Sequence, residues 1–428
     1  MMNQEKYRSS YDDLTREKIL EQISTILSER YVFPEVAQKI IEKLTLSKDD
    51  GVFNQIHNAS EFAGVLERIF QEMSNDKHLH IWYEPNKNKI KDITVNEEIP
   101  EEEKLALQQE KIEREKQSNF GFLTISILEG NIGYLDLRRF SHTDHAAKTA
   151  ISSMNFLANT DAIIIDLRKN GGGEPEMVQL LASYFLNGRT QLNQIERRYE
   201  GVIEQFWTLP FVPGGKMVNH ALYVLTSSRT FSAAEDFIYG LKCLDRITII
   251  GEITKGGAHP ADFFAIQDQI IMMVPTGKAI NPKTNTNWEG VGIRPDISIN
   301  SESAFDTAYV LALKNLIKNV ENETEKRFLH LTLAEVKAQL SPEKVSNGVL
   351  QNYTGSYGIR KITLEGNQLY FQSRFFPKRK LIPITQTIFR FEGEDDIRIE
   401  FINKNDNGDM EIVFYYKQDR EIITSKKD

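Results

Sequence analysis

The sequence predicts an α/β protein, with a helical bundle before the α/β domain and a small antiparallel β module after it. Three patterns in the 428 residues support this prediction. Apolar residues recur at helical spacing up to about residue 73, strands and helices alternate from 119 to about 300, and short strands separated by turn residues follow Tyr353. The length suffices for two or three domains, each with its own apolar core.

The first pattern predicts three helices in an N-terminal subdomain, residues 12–85. Pro34 suits the first turn of the second helix because proline has no N–H to donate. The stretch 86–118 carries many opposite charges at i,i+4 spacing and is predicted to form a charged, solvated insertion. The apolar residues that mark the helices are Leu14, Ile19, Ile23 and Leu27, then Val36, Ile40 and Leu44, then Phe62, Leu66 and Phe70.

The second pattern predicts an α/β core over residues 119–340. Its strand at 162–167 is predominantly apolar, as expected for a parallel strand that is covered on both faces. Residues 345–428 are predicted to fold as a small antiparallel barrel or sandwich. The other predicted strands of the α/β domain are 132–137, 221–225 and 247–250, and its predicted helices are 147–157, 178–186 and 233–244.

Composition argues against several classes of protein. The net charge of −9 argues against nucleic-acid binding, which needs a basic surface. The single cysteine, Cys243, excludes a disulfide within the chain and is expected to be a small core residue. No signal peptide and no apolar run of about 20 residues is visible. The expectation is a cytoplasmic protein with no membrane span, or an extracytoplasmic one if the sequence has lost a leader.

The segment TFSAAE at 230–235 joins a predicted strand to a predicted helix, and its serine, Ser232, fits two interpretations. With Glu235 three residues later it matches the capping box of an ordinary helix start. A serine at the carboxyl end of a sheet strand is also displayed where α/β proteins bind ligands. There the N–H of Ala233 and the helix dipole would favour a developing oxyanion. The motif alone does not separate a helix cap from a nucleophile.

A glycine-rich turn follows the predicted strand that ends near Asp166. Glycines let the backbone approach a ligand closely, and the N–H of Gly171 or Gly172 could supply a second oxyanion donor. A phosphate-binding loop is an alternative, but no Gly-Lys-Ser/Thr follows, and Glu174 and Glu176 would repel phosphate. A flexible turn is the simplest interpretation.

Eight histidines and one acidic turn supply candidate partners for a nucleophile. His78 and His80 share a face if they lie on a strand, which suggests a metal pair, but no third ligand stands at a suitable spacing. His259 follows a pair of glycines and an alanine. Glu289 is flanked by an aromatic residue and a glycine, a setting that suits a carboxylate held in a partly dry turn. Each residue also has an ordinary interpretation as a core or surface residue.

Five segments, taken in order, resemble the serine-peptidase family of the tail-specific, or carboxyl-terminal processing, peptidases, the tricorn core peptidase and the interphotoreceptor retinoid-binding proteins. The resemblance covers about residues 15–300. It is closest to the tricorn-core and retinoid-binding-protein-like branch, whose retinoid-binding-like members have a helical N-terminal region and no PDZ domain, and it implies a ClpP/crotonase-like core. The matching segments are GYLDL at 133–137, DLRKNGGG at 166–173, TFSAAE at 230–235, GEITKGGAH at 251–259 and EGVGIRPD at 289–296.

The resemblance implies a role for each residue at a matching position. Ser232 matches the family nucleophile. The processing peptidases use a lysine base, but the matching position in this sequence is Gly257. Lys255 lies two residues away and is an alternative base that would need a different loop path to reach Ser232.

The tricorn-like branch offers a second set of partners by the same resemblance. Its histidine base matches His78, and its glutamate matches Glu289, which would hold the imidazole in the correct tautomer. The serine that precedes the histidine in that branch is Lys77 here. Asp76 is therefore an alternative orienting group for His78.

The activity that the resemblance implies is hydrolysis of a peptide or protein substrate by a serine-type endopeptidase. Ala233 and either Gly171 or Gly172 would bind the oxyanion, and no metal or organic cofactor is required. The alternative is a non-catalytic protein that binds an apolar ligand or peptide on the same fold, in which Ser232 is only a helix cap. The oligomeric state does not follow from the sequence.

Overall fold

The structure is a computed structural model that describes residues 13–86, 101–374, 376–403, 410–416 and 422–426. Residues 87–100 of the predicted charged insertion lie outside the described residues. The chain divides into two compact units: Met1–Leu128 with Ile132–Phe305, and Glu129–Asn131 with Asp306–Asp428. Within the described ranges, we find no helix with the length and apolar character needed to cross a bilayer.

The first unit combines helices with short and long strands. Its helices are α1 (Asp13–Arg30), α2 (Pro34–Asp49), α3 (Ala59–Ser74), α4 (Glu101–Gln117), α5 (Thr143–Leu157), α6 (Pro175–Ser183) and α7 (Ala233–Cys243). Its strands are β1 (His80–Tyr83), β2 (Phe122–Leu128), β3 (Ile132–Leu137), β4 (Ala162–Asp166), β5 (Gln191–Arg197), β6 (Val202–Trp207), β7 (Ala221–Thr226), β8 (Thr248–Gly251), β9 (Ala261–Ile266), β10 (Ile270–Pro275), β11 (Gly277–Ile280) and β12 (Ile297–Ser298).

The predicted N-terminal helices are confirmed as α1, α2 and α3. Their apolar faces bury one core, which includes Ile23, Ile40 and Phe62. Strands β1, β10 and β9 form an antiparallel sheet in that order, and β1, β9 and β10 contribute apolar residues to the same core. This sheet fixes the segment before β1, which carries His78, relative to the segment before β9, which carries His259.

Six strands form the central sheet in the order β12-β8-β7-β4-β3-β2. Neighbours are parallel except for β2, which pairs antiparallel with β3 at one edge. The predicted α/β class is therefore confirmed. Every residue of β4 is buried, as its apolar sequence predicts. Parallel pairing brings the carboxyl ends of β4, β7 and β8 to one edge of the sheet, where α/β proteins place their functional loops.

The second unit contains helices and one antiparallel sheet, which confirms the predicted C-terminal antiparallel module. Its eight strands are hydrogen-bonded in sequence order. The first and last of these strands are not paired with each other in the part of the chain that the structure describes, so the sheet is not shown as a closed barrel. The elements are α8 (Ala304–Asn319), α9 (Glu323–Leu340), α10 (Asn347–Asn352), β13 (Gly355–Tyr357), β14 (Arg360–Glu365), β15 (Gln368–Ser373), β16 (Phe376–Pro383), β17 (Ile388–Phe391), β18 (Glu394–Asn403), β19 (Met410–Tyr416) and β20 (Ile422–Lys426).

Candidate active site

Three loops meet beside the carboxyl ends of β4, β7 and β8. The loop after β7 carries Ser232, and backbone hydrogen bonds join it to both neighbours. The N–H of Phe231 donates to the carbonyl of Asn170 in the glycine-rich loop at 3.1 Å. The N–H of Lys255, in the loop after β8, donates to the carbonyl of Thr230 at 3.0 Å. The serine loop is therefore held from both sides.

The backbone of Ser232 is strained. It has φ 57° and ψ −124° at the start of α7, a conformation that residues with a Cβ rarely adopt. An ordinary N-cap residue is extended, and Asn58 at the start of α3 follows that rule with φ −150° and ψ 154°. A strained strand-to-helix turn is the geometry that exposes a serine nucleophile above a sheet. Ser232 begins a helix, but its backbone is not that of a simple cap.

The glycine-rich loop packs directly against this turn. Gly172 has φ +102°, and a Cβ built there would lie 2.7 Å from the Cβ of Ser232 and 3.0 Å from the nitrogen of Ala233. Only glycine fits this approach. The N–H of Gly172 donates to Asn170 Oδ1 at 2.8 Å, so it is already engaged within the loop. Within the described residues we find no acceptor for the N–H of Ala233 or of Gly171, so these two predicted donors remain available for an oxyanion.

Glu235 connects the start of α7 to the loop after β8. Its side chain is completely buried, and its Oε2 accepts the N–H of Ser232 at 2.9 Å. The same carboxylate accepts three further hydrogen bonds from that loop, which the sequence does not reveal. The donors are the hydroxyl of Thr254 at 2.5 Å, the N–H of Gly256 at 2.7 Å and the N–H of Gly257 at 2.9 Å. The capping-box motif was the available signal, but it indicated only the local contact.

His78 lies in the segment before β1 and reaches the serine loop. It is 5% exposed, and its ring stacks on that of Phe231 with a centroid distance of 4.4 Å. Burial lowers the pKa of His78 to about 3, and the neighbouring charge of His259 adds to that shift. Its Nδ1 is buried and has no hydrogen-bond partner among the described residues. The structure thus places His78 beside Phe231, the residue that precedes Ser232. Both His78 and Ser232 are described, and no hydrogen bond joins their side chains.

Two carboxylates approach the imidazole of His78. Asp76, which is 3% exposed, accepts the backbone N–H of His78, not its ring N–H, through Oδ1 at 2.9 Å. Glu289 accepts the N–H of Ala258 at 2.5 Å and that of Lys77 at 3.4 Å. Burial raises the pKa of Asp76, and burial together with the Asp76 charge raises the pKa of Glu289 to about 7.

Position 257 distinguishes the two predicted bases. A Cβ on Gly257 would lie 2.1 Å from Cε2 of Phe231 and 2.6 Å from Cε1 of His78. The space that a lysine side chain would need at this position is therefore filled by His78 and Phe231. The exposed Lys255 places Nζ 4.3 Å from the centroid of the Phe231 ring. Both candidate bases contact Phe231, and His78 also has a ring nitrogen within 4.8 Å of a carboxylate oxygen of Asp76 and of Glu289.

The sequence suggests His78 and His80 as a metal pair but offers no third ligand at a suitable spacing, and the structure gives no support to such a pair. Both ring nitrogens of His80 are occupied elsewhere, by Glu67 at 2.6 Å and by the carbonyl of Lys77 at 2.9 Å. A different group could hold a metal ion. One ligand atom each from Asp76, His78 and Glu289 lies within 4.8 Å of the other two.

A cavity of about 420 Å³ opens beside the two carboxylates. Its walls include Asp76, Glu289 and Lys278. His259 also lines it, is 2% exposed, and places Nε2 3.8 Å from Glu289 Oε2. Burial lowers the pKa of His259 to about 4, so this ring is neutral near pH 7 and does not compensate the carboxylate charge.

Comparison with protein families gives two matches that together cover most of the first unit. The profile of peptidase family S41 matches residues 131–299. The profile of the N-terminal domain of S41 peptidases in eukaryotic IRBP matches residues 14–120. The first match contains the strained serine turn and the glycine-rich loop, and the second contains His78 and Asp76.

Individual relatives are more distant. Carboxyl-terminal-processing peptidase 2, a chloroplast protein of Arabidopsis thaliana, is 28% identical over 169 residues, which are 39% of this chain and 31% of that protein. The match therefore spans less than a third of that relative. A structure of a peptidase-like protein from Parabacteroides merdae is 17% identical and covers 69% of this chain and 96% of its own, with a TM-score of 0.49. Mature CPAF bound to lactacystin is 12% identical and covers 74% of this chain and 100% of its own, with a TM-score of 0.46.

Proposed function

Because the chain belongs to peptidase family S41, we propose that it is a serine-type endopeptidase whose nucleophile is Ser232. The observation that carries the proposal is the backbone of Ser232, with φ 57° and ψ −124°. A helix cap gains nothing from this strain, whereas a nucleophile gains exposure of its hydroxyl at the start of α7. The contact with Gly172 and the hydrogen bond to Glu235 are what maintain the strained turn.

In the proposed reaction, the Oγ of Ser232 attacks the substrate carbonyl while His78 accepts the serine proton. The same proton is then delivered to the leaving amine, and a water molecule hydrolyses the acyl-enzyme. The backbone N–H groups of Ala233 and Gly171 would stabilise the oxyanion. His78 must come within hydrogen-bond distance of Ser232 for this step, and its ring already stacks on Phe231, the residue before the serine.

A carboxylate is needed because the pKa of His78 is low. An imidazole whose pKa is lowered to about 3 is neutral and ready to accept a proton, but it holds that proton weakly. Glu289, with Asp76 beside it, would stabilise the imidazolium that forms during the attack and fix the ring tautomer. Lys255 is the alternative base, but it lies on the exposed side of Phe231 and has no carboxylate partner in the described residues.

A fluorophosphonate probe followed by mass spectrometry tests both assignments. We expect one adduct, on Ser232, that is absent in Ser232→Ala. His78→Ala should reduce labelling and peptide hydrolysis by at least about 100-fold, as expected when a general base is removed. Lys255→Ala and the exposed-histidine control His57→Ala should retain both.

Two outcomes would overturn the proposal. If Lys255→Ala loses activity and His78→Ala keeps it, the base is the lysine. If wild-type protein is neither labelled nor active on denatured protein substrates, a non-catalytic role in ligand binding on this fold is the better conclusion.

A further inference from the structure

The carboxylate–histidine cluster has the composition of a metal site. Asp76, His78 and Glu289 each place a ligand atom within 4.8 Å of the other two. One imidazole nitrogen with two carboxylate oxygens is a donor set that suits Zn²⁺ and related transition-metal ions, whereas Ca²⁺ and Mg²⁺ prefer oxygen alone. Family resemblance suggested that these three side chains meet, but no ligand spacing in the sequence indicates a metal site, because Glu289 lies more than 200 residues beyond Asp76.

The carboxylates are oriented by groups outside the cluster. The hydroxyl of Tyr31 donates to Asp76 Oδ2 at 3.0 Å, while the other oxygen of Asp76 accepts a backbone N–H. Glu289 is held at Oε2 by the N–H of Ala258 at 2.5 Å. Each carboxylate oxygen keeps a further lone pair after these bonds, so the hydrogen bonds orient the ligands without consuming their capacity to bind a cation.

His78 supplies an independent indication that a partner is missing. Its side chain is buried, and its Nδ1 lacks a hydrogen-bond partner among the described residues. Buried polar nitrogens in folded proteins are almost always paired, so an unpaired one within reach of two carboxylates requires an explanation. No lysine or arginine in the described part of the chain forms an ion pair with Asp76 or Glu289. A cation would satisfy the imidazole and both carboxylates together.

An ion can also reach the cluster. The cavity of about 420 Å³ is lined by Asp76 and Glu289 and is open to solvent at one side. It leaves room for water molecules at the coordination positions that protein atoms do not fill. Ligand atoms around tetrahedral Zn²⁺ are roughly 3.4 Å apart for bonds of about 2.1 Å, so closing the cluster requires side-chain movements of about 1 Å.

We propose that Asp76, His78 and Glu289 bind one Zn²⁺ ion, and that the bound ion switches the peptidase off by occupying the imidazole that serves as its base. The inhibitory part rests on the proposed function, whereas the binding site does not. Because Zn²⁺ holds the lone pair of the ring nitrogen that faces the carboxylates, the proton of the neutral imidazole stays on the other nitrogen, which then cannot accept the proton of Ser232. The metal and the catalytic cycle therefore compete for the same side chain.

Binding is tested without catalysis in the Ser232→Ala protein, which keeps all three ligands. The protein is freed of metal with EDTA, dialysed and titrated with Co²⁺, whose visible absorption reports low-symmetry N/O coordination. We expect one equivalent to bind, and Zn²⁺ to displace it. Adding Glu289→Gln or Asp76→Asn should weaken binding by at least about tenfold, and Tyr31→Phe, which removes only a hydrogen bond to a ligand, by roughly tenfold. The exposed-histidine control His57→Gln should bind as the parent does.

Thermal unfolding followed by circular dichroism checks that each variant is folded, and Zn²⁺ should raise the midpoint of the parent but not that of Glu289→Gln. Absence of a Co²⁺ spectrum, or equal binding by parent and ligand variants, overturns the site.

In wild-type protein, Zn²⁺ should inhibit hydrolysis at the concentration that displaces Co²⁺, and EDTA should restore it. Activity that rises with Zn²⁺ overturns the inhibitory role. Metal binding without hydrolysis under any condition refutes the proposed function alone, and hydrolysis without metal binding refutes this inference alone.

Discussion

Replacing Ser232 with glycine should make the first unit more stable while abolishing hydrolysis. The reason is the backbone of Ser232, whose φ of 57° and ψ of −124° are unfavourable for a residue with a Cβ and acceptable for glycine. A nucleophile is expected to retain such strain because the reaction needs the exposed hydroxyl. A residue that only caps a helix has no reason to retain it.

The expected size follows from two opposing effects. A residue held in a sparsely populated backbone region costs about 1–3 kcal/mol, and glycine removes most of that cost. The greater freedom of glycine in the unfolded chain returns roughly 0.5–1 kcal/mol. Ser232→Gly should therefore raise the free energy of unfolding by up to about 2.5 kcal/mol, and Ser232→Ala, which keeps the Cβ and the strain, should stay within about 0.5 kcal/mol of wild type.

Urea unfolding followed by tryptophan fluorescence measures this in the right part of the chain. The three tryptophans, Trp82, Trp207 and Trp288, all lie in the first unit, so the signal reports that unit. Ser228→Gly, an exposed serine of the same loop without a positive φ, is the control and should lose up to about 1 kcal/mol. If Ser232→Gly is instead less stable than wild type, and Ser232→Ala loses about 1 kcal/mol, then Ser232 is an ordinary cap and the strain argument is refuted.

Two further predictions concern carboxylates of the site. Burial raises the pKa of Glu289 to about 7 and lowers that of His78 to about 3, so the Glu289 carboxylate ionises as pH rises through about 7, where the imidazole is already neutral. We therefore expect kcat/KM measured in EDTA to rise with pH through this range. A Glu289→Gln variant whose pH profile keeps the same rise would contradict the assignment. Glu235→Gln should lower the stability of the first unit by about 1–3 kcal/mol and reduce fluorophosphonate labelling of Ser232, because the amide NH₂ would face N–H and O–H groups that now donate to the carboxylate. The control is Glu174→Gln, at a helix start where the side chain makes no cap hydrogen bond. Equal losses in both variants would show that the Glu235 contacts contribute little.

Apolar sequence patterns predicted the central sheet well because burial on both faces leaves a simple signal. The predicted strand at 132–137 coincides with β3, the predicted strands at 162–167 and 221–225 differ from β4 and β7 by one residue at one end, and the predicted strand at 247–250 is shifted by one residue from β8. The two edge strands of the central sheet, β2 and β12, were not predicted, and neither were β1, β5, β6, β9, β10 and β11. Some of them, such as β6, are largely exposed and combine polar with apolar residues, so their pairing depends on partners that are distant in sequence.

The candidate site was only partly accessible to sequence reasoning for a related reason. Family resemblance suggested Ser232, His78 and Glu289, but the residues between and around them give no local sign that they meet. The backbone angle of Ser232 depends on the close approach of Gly172, and the role of Glu235 depends on a loop about 20 residues later. Local patterns reveal a turn and a cap; the strain and the buried hydrogen bonds arise from tertiary packing.

The two halves of the proposed chemistry are held by different parts of the first unit, and this has a consequence for mutagenesis. The strained serine is fixed by the glycine-rich loop and by Glu235, whereas His78 and Asp76 are fixed by the segment that joins α3 to β1. Changes that loosen the first group should alter both stability and labelling of the serine, because they release its backbone strain. Changes in the second group should leave that strain in place and alter proton transfer and metal affinity instead. Phe231, which packs against His78 and precedes Ser232, is the contact through which disturbance of one group reaches the other.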